Sequence, residues 1–435
     1  MAVAVYFALA CAVSVAADLA RVELRPDGDR WQATLTWPQP ATRVEFLRNP
    51  QPRSERGWRV LDAGFVLDRC DARDCVQRAD GSAFTAVTLE VPARFVPYAD
   101  DYAPFSPFGD GAQLIHSGQF HACAAAGATC QGRWRFLAHA PAGQRIVVRG
   151  RVHEAMASWE DSGDGTMVYV GNGALLRTPH LIAVVDERFP SGVRTSLLDL
   201  LPRLLAFYAA RLDTTLVQRP MLFASYDARD TGGRFGSKGG TLDAQVFMHL
   251  YGGAWEDEGR RAALRDWLPW FFAHEAAHLY QMHKRSRDPA LAWIHEGAAE
   301  AFALLALREL RLAPAPSLQA RIESGSKRCA EALRETPLVE AHKHGRFDAH
   351  YSCGLSIQMA LDAAIRARGR GDLFALWRAF LAGQRAGLPW SAHSFLSAAE
   401  PLAGAACVRS IADALTARGG IDPELCRSFG KEPRS

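Results

Sequence analysis

Apolar and polar residues alternate along the first part of this chain and recur at helical spacing along the rest. "RVELRP", "WQATLTW", "AVTLEVPARFV", "QRIVVRGRVH" and "TMVYVG" are short, alternating or β-branched, and divided by Asp-Gly, Asn-Gly and Pro breaks, which predicts a β-sandwich-like region from Asp18 to about residue 180. The glycine clusters "EDSGDG" and "GNG" lack the later acidic ligand of a calcium loop and the Lys-Ser/Thr of a phosphate loop, so hairpin turns are expected there. From residue 181 the pattern changes. "SLLDLLPRLLAFYAARL" has helical periodicity, "PMLFASY" reads as a strand, and helical patterns dominate from Arg260 to the end.

Two adjacent segments carry chemistry. In "PWFFAHEAAHLYQM", Pro269 is expected at the first turn of a buried helix on which His274 and His278, four apart, share one face. Two neutral imidazoles one turn apart suit one zinc ion, and Glu275, rotated by about 100°, can take a proton from a water without being a ligand. Composition alone would produce roughly 0.02 such HExxH patterns in a chain of this length. Asp288 and Pro289 then read as the cap and first turn of a second helix, "PALAWIHEGAAEAFALLALREL", reached through the basic turn "HKRSR". Packed antiparallel, that helix would bring Glu296 to the histidines as third ligand, with His283 and His295 as rivals. Gly297 would permit a close backbone approach, and Glu300, one turn further, would hold a ligand imidazole from outside.

Composition narrows the class. At 435 residues and 49% hydrophobic the chain can bury more than one core, and a net charge of +3 spread along the sequence gives nucleic acid no basic stripe to bind. Residues 1–17 end in small residues suited to signal-peptide cleavage, with Val15 and Ala17 preceding Asp18; Ala8 disfavours lipidation at Cys11. No later stretch of uninterrupted apolar residues is long enough to span a membrane, so a periplasmic or secreted protein is expected after signal removal. Besides Cys11 the chain has eight cysteines in neighbouring pairs: Cys70 with Cys75, Cys123 with Cys130, Cys329 with Cys353, and Cys407 with Cys426. Local pairing is the simplest of the 105 possible connectivities, and an oxidising compartment would sustain it.

Trp293–Gly297, "WIHEG", in which Glu296 is separated from His278 by seventeen residues, resembles the second motif of the gluzincin metallopeptidases, the superfamily of aminopeptidase N and the glycyl aminopeptidases. "HYSCGLSIQMALDAAIRARGRGDLFALWRAF" is similar to the glycyl aminopeptidase segment that begins Tyr-x-Lys-Gly. The resemblance implies an α+β protein: a β-rich front followed, over residues 181–435, by a thermolysin-like, mainly helical zinc-peptidase domain with a small edge sheet. It also implies one zinc per chain, a peptide or protein substrate, and Tyr351 as the oxyanion-stabilising tyrosine. Cys353 replaces the Lys common in that family, which suggests a disulfide to Cys329. "GSKGGTLDAQ" looks like the family's Gly-rich substrate strand, giving Gly239 and Gly240 backbone-binding roles. The family's amine-binding Glu is missing there, and Asp243 is the candidate replacement. A zinc-binding scaffold with little hydrolytic activity is the alternative reading. The histidines of "AHKHGRFDAHY" are expected in a solvated loop.

Overall fold

A computed structural model describes residues 19–98, 101–124, 132–190, 192–229, 235–282, 286, 288–422 and 424–426. The expected signal segment, Cys130 and His283 lie outside them. The chain divides into two units: one takes Met1–Phe105, Ile115–Val148 and Val152–Gly171, the other Ser106–Leu114, Arg149–Arg151 and Asn172–Ser435.

The first unit is built of β-sheet. One six-stranded sheet runs in the order Met156–Ser162, Arg133–His139, Ala20–Asp27, Arg30–Ala41, Phe84–Pro92, Arg59–Val60. A four-stranded sheet follows the order Ala122–Ala124, Arg43–Phe46, Arg73–Arg78, Phe65–Cys70. The alternation of "WQATLTW" is realised directly, since Trp31, Ala33, Leu35 and Trp37 are buried while their neighbours are only partly covered. The "EDSGDG" turn differs from expectation: it leaves the strand Met156–Ser162 but makes no hairpin, because the next strand, Met167–Gly171, belongs to another sheet. Asp161 is drawn inward there, accepting hydrogen bonds from the hydroxyls of Ser117 and Thr166.

The second unit has a five-stranded sheet in the order Leu176–Arg177, Ile182–Val185, Met221–Asp227, Gln245–Tyr251, Gly236–Leu242. The three middle strands are parallel, and Gly236–Leu242 pairs antiparallel at the edge. Eight helices are described: α1 (Val193–Leu212), α2 (Glu258–His278), α3 (Ala292–Glu309), α4 (Ala315–Ala332), α5 (Asp348–Ala367), α6 (Leu373–Arg385), α7 (Ala392–Ala403) and α8 (Ala405–Thr416). Their apolar faces share one core with the sheet, including Leu204, Phe223, Phe272, Trp293, Phe302 and Trp377. The segment Pro289–Glu309 is long and apolar enough to cross a membrane, but 72% of its apolar window is buried inside the protein, as in a core helix.

Three disulfides join Cys70 to Cys75, Cys329 to Cys353 and Cys407 to Cys426, as local pairing predicts. Such bonds persist in an oxidising environment. The Cys329–Cys353 bridge staples α4 to α5.

Candidate metal centre

α2 begins earlier than Pro269 suggested. Asp257 caps it by accepting from the Arg260 N–H at 3.0 Å, and Pro269 lies in its interior. An interior proline costs about 3 kcal/mol by removing one helical hydrogen bond. Burial of Leu264, Leu268, Phe271 and Phe272 offsets that loss at roughly 1.5–3 kcal/mol per side chain. The helix therefore continues through the proline and delivers His274 and His278 together, with their Nε2 atoms 3.0 Å apart.

The second helix is capped as expected: Asp288 accepts from the Ala290 N–H at 2.9 Å, a short 3-10 turn follows, and α3 starts at Ala292. α3 places Glu296 Oε2 3.3 Å from His274 Nε2 and 3.3 Å from His278 Nε2. Tetrahedral zinc with bonds of about 2.0–2.1 Å needs ligand atoms about 3.3–3.4 Å apart. Three donor atoms at 3.0, 3.3 and 3.3 Å fit one face of that tetrahedron. Glu296 Oε2 is sealed from solvent without a hydrogen-bond partner, a costly condition that a cation would relieve. The electrostatics agree. Burial alone would lower the His274 pKa, but Glu296 and Glu300 outweigh it and hold the imidazole well above its ordinary value. Burial would raise Glu296, and His278, His274 and His295 instead hold it well below the usual carboxylate range. This cluster attracts positive charge.

One imidazole is hydrogen-bonded from behind, and the other faces a carboxylate there. His278 Nδ1 lies 2.7 Å from Gln281 Oε1, and the Gln281 amide donates to the His295 carbonyl at 3.0 Å, so Nδ1–H donation to Gln281 leaves the Nε2 lone pair facing the cluster. Glu300 Oε1 is 3.4 Å from His274 Nδ1, long for a hydrogen bond, while its Oε2 accepts from Trp270 Nε1 at 3.1 Å. His295, the rival ligand, approaches the opposite carboxylate oxygen, Glu296 Oε1, at 3.5 Å. It is not among the three convergent donors.

Glu275 is buried next to His274, and its Oε2 accepts from the Thr241 hydroxyl at 2.8 Å. Tyr351 stacks on His274, ring centroids 5.8 Å apart and planes 19° apart. Its helix, α5, reaches the site because Gly297 meets Gly354: a Cβ on Gly297 would fall 2.3 Å from the Gly354 carbonyl carbon. The close approach expected of Gly297 is thus a helix crossing.

On the edge strand a Cβ at Gly239 would fall 2.6 Å from the Phe271 ring, and Gly240 is buried. Asp243 is exposed in the hairpin turn beyond the strand; Thr241, not Asp243, contacts Glu275. "AHKHGRFDAHY" also departs from a solvated loop. Leu338–His344 is a 3-10 helix, and His350, on α5, is fully buried with both ring nitrogens unpartnered. Sequence reasoning missed Thr241, Gln281 and Trp270. The only signal for Gln281 was a polar residue three positions after His278, inside an apolar run.

No family description and no curated protein matches this sequence. Solved structures do match. An aminopeptidase N family protein from Idiomarina loihiensis superposes with a TM-score of 0.65 at 14% identity, over 94% of this chain and 78% of that one. An M1 zinc metallopeptidase from Deinococcus radiodurans gives 0.52 at 15% identity, over 92% and 94%. A two-domain M1 zinc metallopeptidase mutant bound to L-arginine gives 0.52 at 14%, over the same shares. The chain shares the fold of these aminopeptidase N family and M1 zinc metallopeptidase structures, with a β-rich N-terminal region followed by a mainly helical domain.

Proposed function

We propose that this chain is an exported zinc-dependent peptidase, aminopeptidase-like in architecture, acting on a peptide or protein substrate. The observation that carries the reading is the triangle of His274 Nε2, His278 Nε2 and Glu296 Oε2, with the buried carboxylate of Glu275 beside it. Those three residues would hold one zinc. When bound, the ion polarises the scissile carbonyl and brings the pKa of water toward neutrality. Glu275 takes the proton from the attacking water and returns it to the leaving amine. Tyr351 donates its hydroxyl hydrogen to the developing oxyanion. Gln281 and Glu300 keep the two imidazoles turned to the metal, and the edge strand that carries Gly239 and Gly240 offers its unpaired side to substrate backbone. The disulfides, together with the signal peptide expected over residues 1–17, motivate the assignment to the periplasm or exterior.

The test is a peptide-library digestion by the purified protein with its zinc content measured. One zinc per chain and hydrolysis that Glu275→Gln abolishes are expected. A wild type devoid of metal would overturn the reading, and full zinc with no products would favour the scaffold alternative. Cleavage confined to free N-termini would mark an aminopeptidase, and internal cuts an endopeptidase.

A further inference from the structure

Thr241 is the one side chain among the described residues that hydrogen-bonds the Glu275 carboxylate, and the mechanism above leaves it without a task. Its Oγ1 lies 2.8 Å from Glu275 Oε2 and 2.8 Å from the Glu275 main-chain oxygen. Thr241 belongs to Gly236–Leu242, which pairs with one strand only and ends the sheet. On the same face two residues earlier, Gly239 has room for no side chain against Phe271. The strand therefore presents a single polar group to the base.

We propose that Thr241 is a positioning residue that holds Glu275 for proton transfer and fixes it to the edge strand, an inference that rests on the peptidase reading. A threonine hydroxyl has one hydrogen and can also accept. With Glu275 ionised, that hydrogen goes to Oε2. The other oxygen, Oε1, takes the proton from water, and Oε2 goes on accepting the threonine hydrogen. No heavy atom moves, and the ionised carboxylate returns when the proton passes from Oε1 to the leaving amine. One side chain thus serves both protonation states of the base, while its backbone belongs to the strand expected to bind the peptide.

Thr241→Val keeps the shape and removes the hydrogen bond; Thr241→Ser keeps the hydroxyl. In the full-length zinc-loaded protein, Thr241→Val is expected to retain metal and KM while kcat falls about 10–100-fold, since a displacement of about 1 Å at a catalytic group can cost about a hundredfold. Thr241→Ser should stay within about threefold of wild type. A crystal structure of Thr241→Val should show the Glu275 carboxylate moved and the His274, His278, Glu296 triangle intact. A carboxylate that keeps its place, or equal losses in the Ser and Val variants, overturns the proposal. The structural readout also separates it from the peptidase reading: a wild type that binds zinc and cleaves nothing defeats that reading, while the carboxylate's position still decides the role of Thr241.

Discussion

Imidazoles are buried on three elements of the second unit, and the surroundings of one act opposite to those of the other two. On the strand Gln245–Tyr251, His249 is sealed against Ser225, and burial lowers it to about 3; on α5, His350 is lowered by burial to about 4, with His342 and His295 adding to the shift. His274 is buried too, and burial acts on it in the same sense, yet two carboxylates reverse the result. Burial decides against charge until carboxylates converge. The HEAAH helix is where they converge, so His274 is drawn toward its charged form while the others serve as neutral core.

The largest effect should follow from removing the base while leaving the cation-attracting cluster in place. Glu275→Gln is expected to lower turnover by about 10²–10⁴-fold with zinc per chain unchanged by elemental analysis. Loss of metal together with activity would move Glu275 into the ligand set and break the contrast drawn here. Next, Glu296→Gln removes one of the two carboxylates that hold His274 up. Zinc affinity, read by competition with a chromophoric chelator, should fall by more than the roughly 10–100-fold expected for an outer partner. An unchanged affinity would transfer the third ligand position to His295.

Gln281→Leu should cost about 10–100-fold in zinc affinity, because the His278 ring loses the acceptor that orients it. The smallest effect concerns pH and metal-free protein. For His249 and His350 the folded pKa is depressed, so their contribution to stability is present above about 6.5 and lost as the pH falls toward 3 and 4. For His274 the folded pKa is raised, so its contribution is present below about 6.5 and lost as the pH rises through the folded value. His249→Gln should therefore flatten the acid decline of Tm by a few degrees. An identical decline would show that His249 is not held neutral. Zinc must displace the His274 proton, so its affinity should weaken as pH falls below neutrality.

The three clustered donors were legible because each depends on short-range geometry. His274 and His278 share a face through the 3.6-residue turn, and Asp288 with Pro289 sets where the next helix begins and so where Glu296 points. Thr241, Trp270 and Gly354 were not legible in these roles. Their partners Glu275, Glu300 and Gly297 lie 34, 30 and 57 positions away, and no periodicity links residues at such separations. Pro269 misled for a related reason: its local preference is to start a helix, and only the core around Leu264 and Leu268 carries α2 through it. His350 misled because its polar, histidine-rich neighbours suggest solvent while the helix it opens turns inward.

The sequence by itself determined most of the elements, the helix face that His274 and His278 share and the local disulfide partners, since these rest on backbone geometry within a few residues and on short loop closures. Tertiary structure decided that two helix faces meet as one triangle of donors, that Gly297 and Gly354 let α5 bring Tyr351 onto His274, and that a threonine from an edge strand reaches the base. Those are matters of packing, where complementary surfaces distant along the chain exclude water together, and no single segment contains the information.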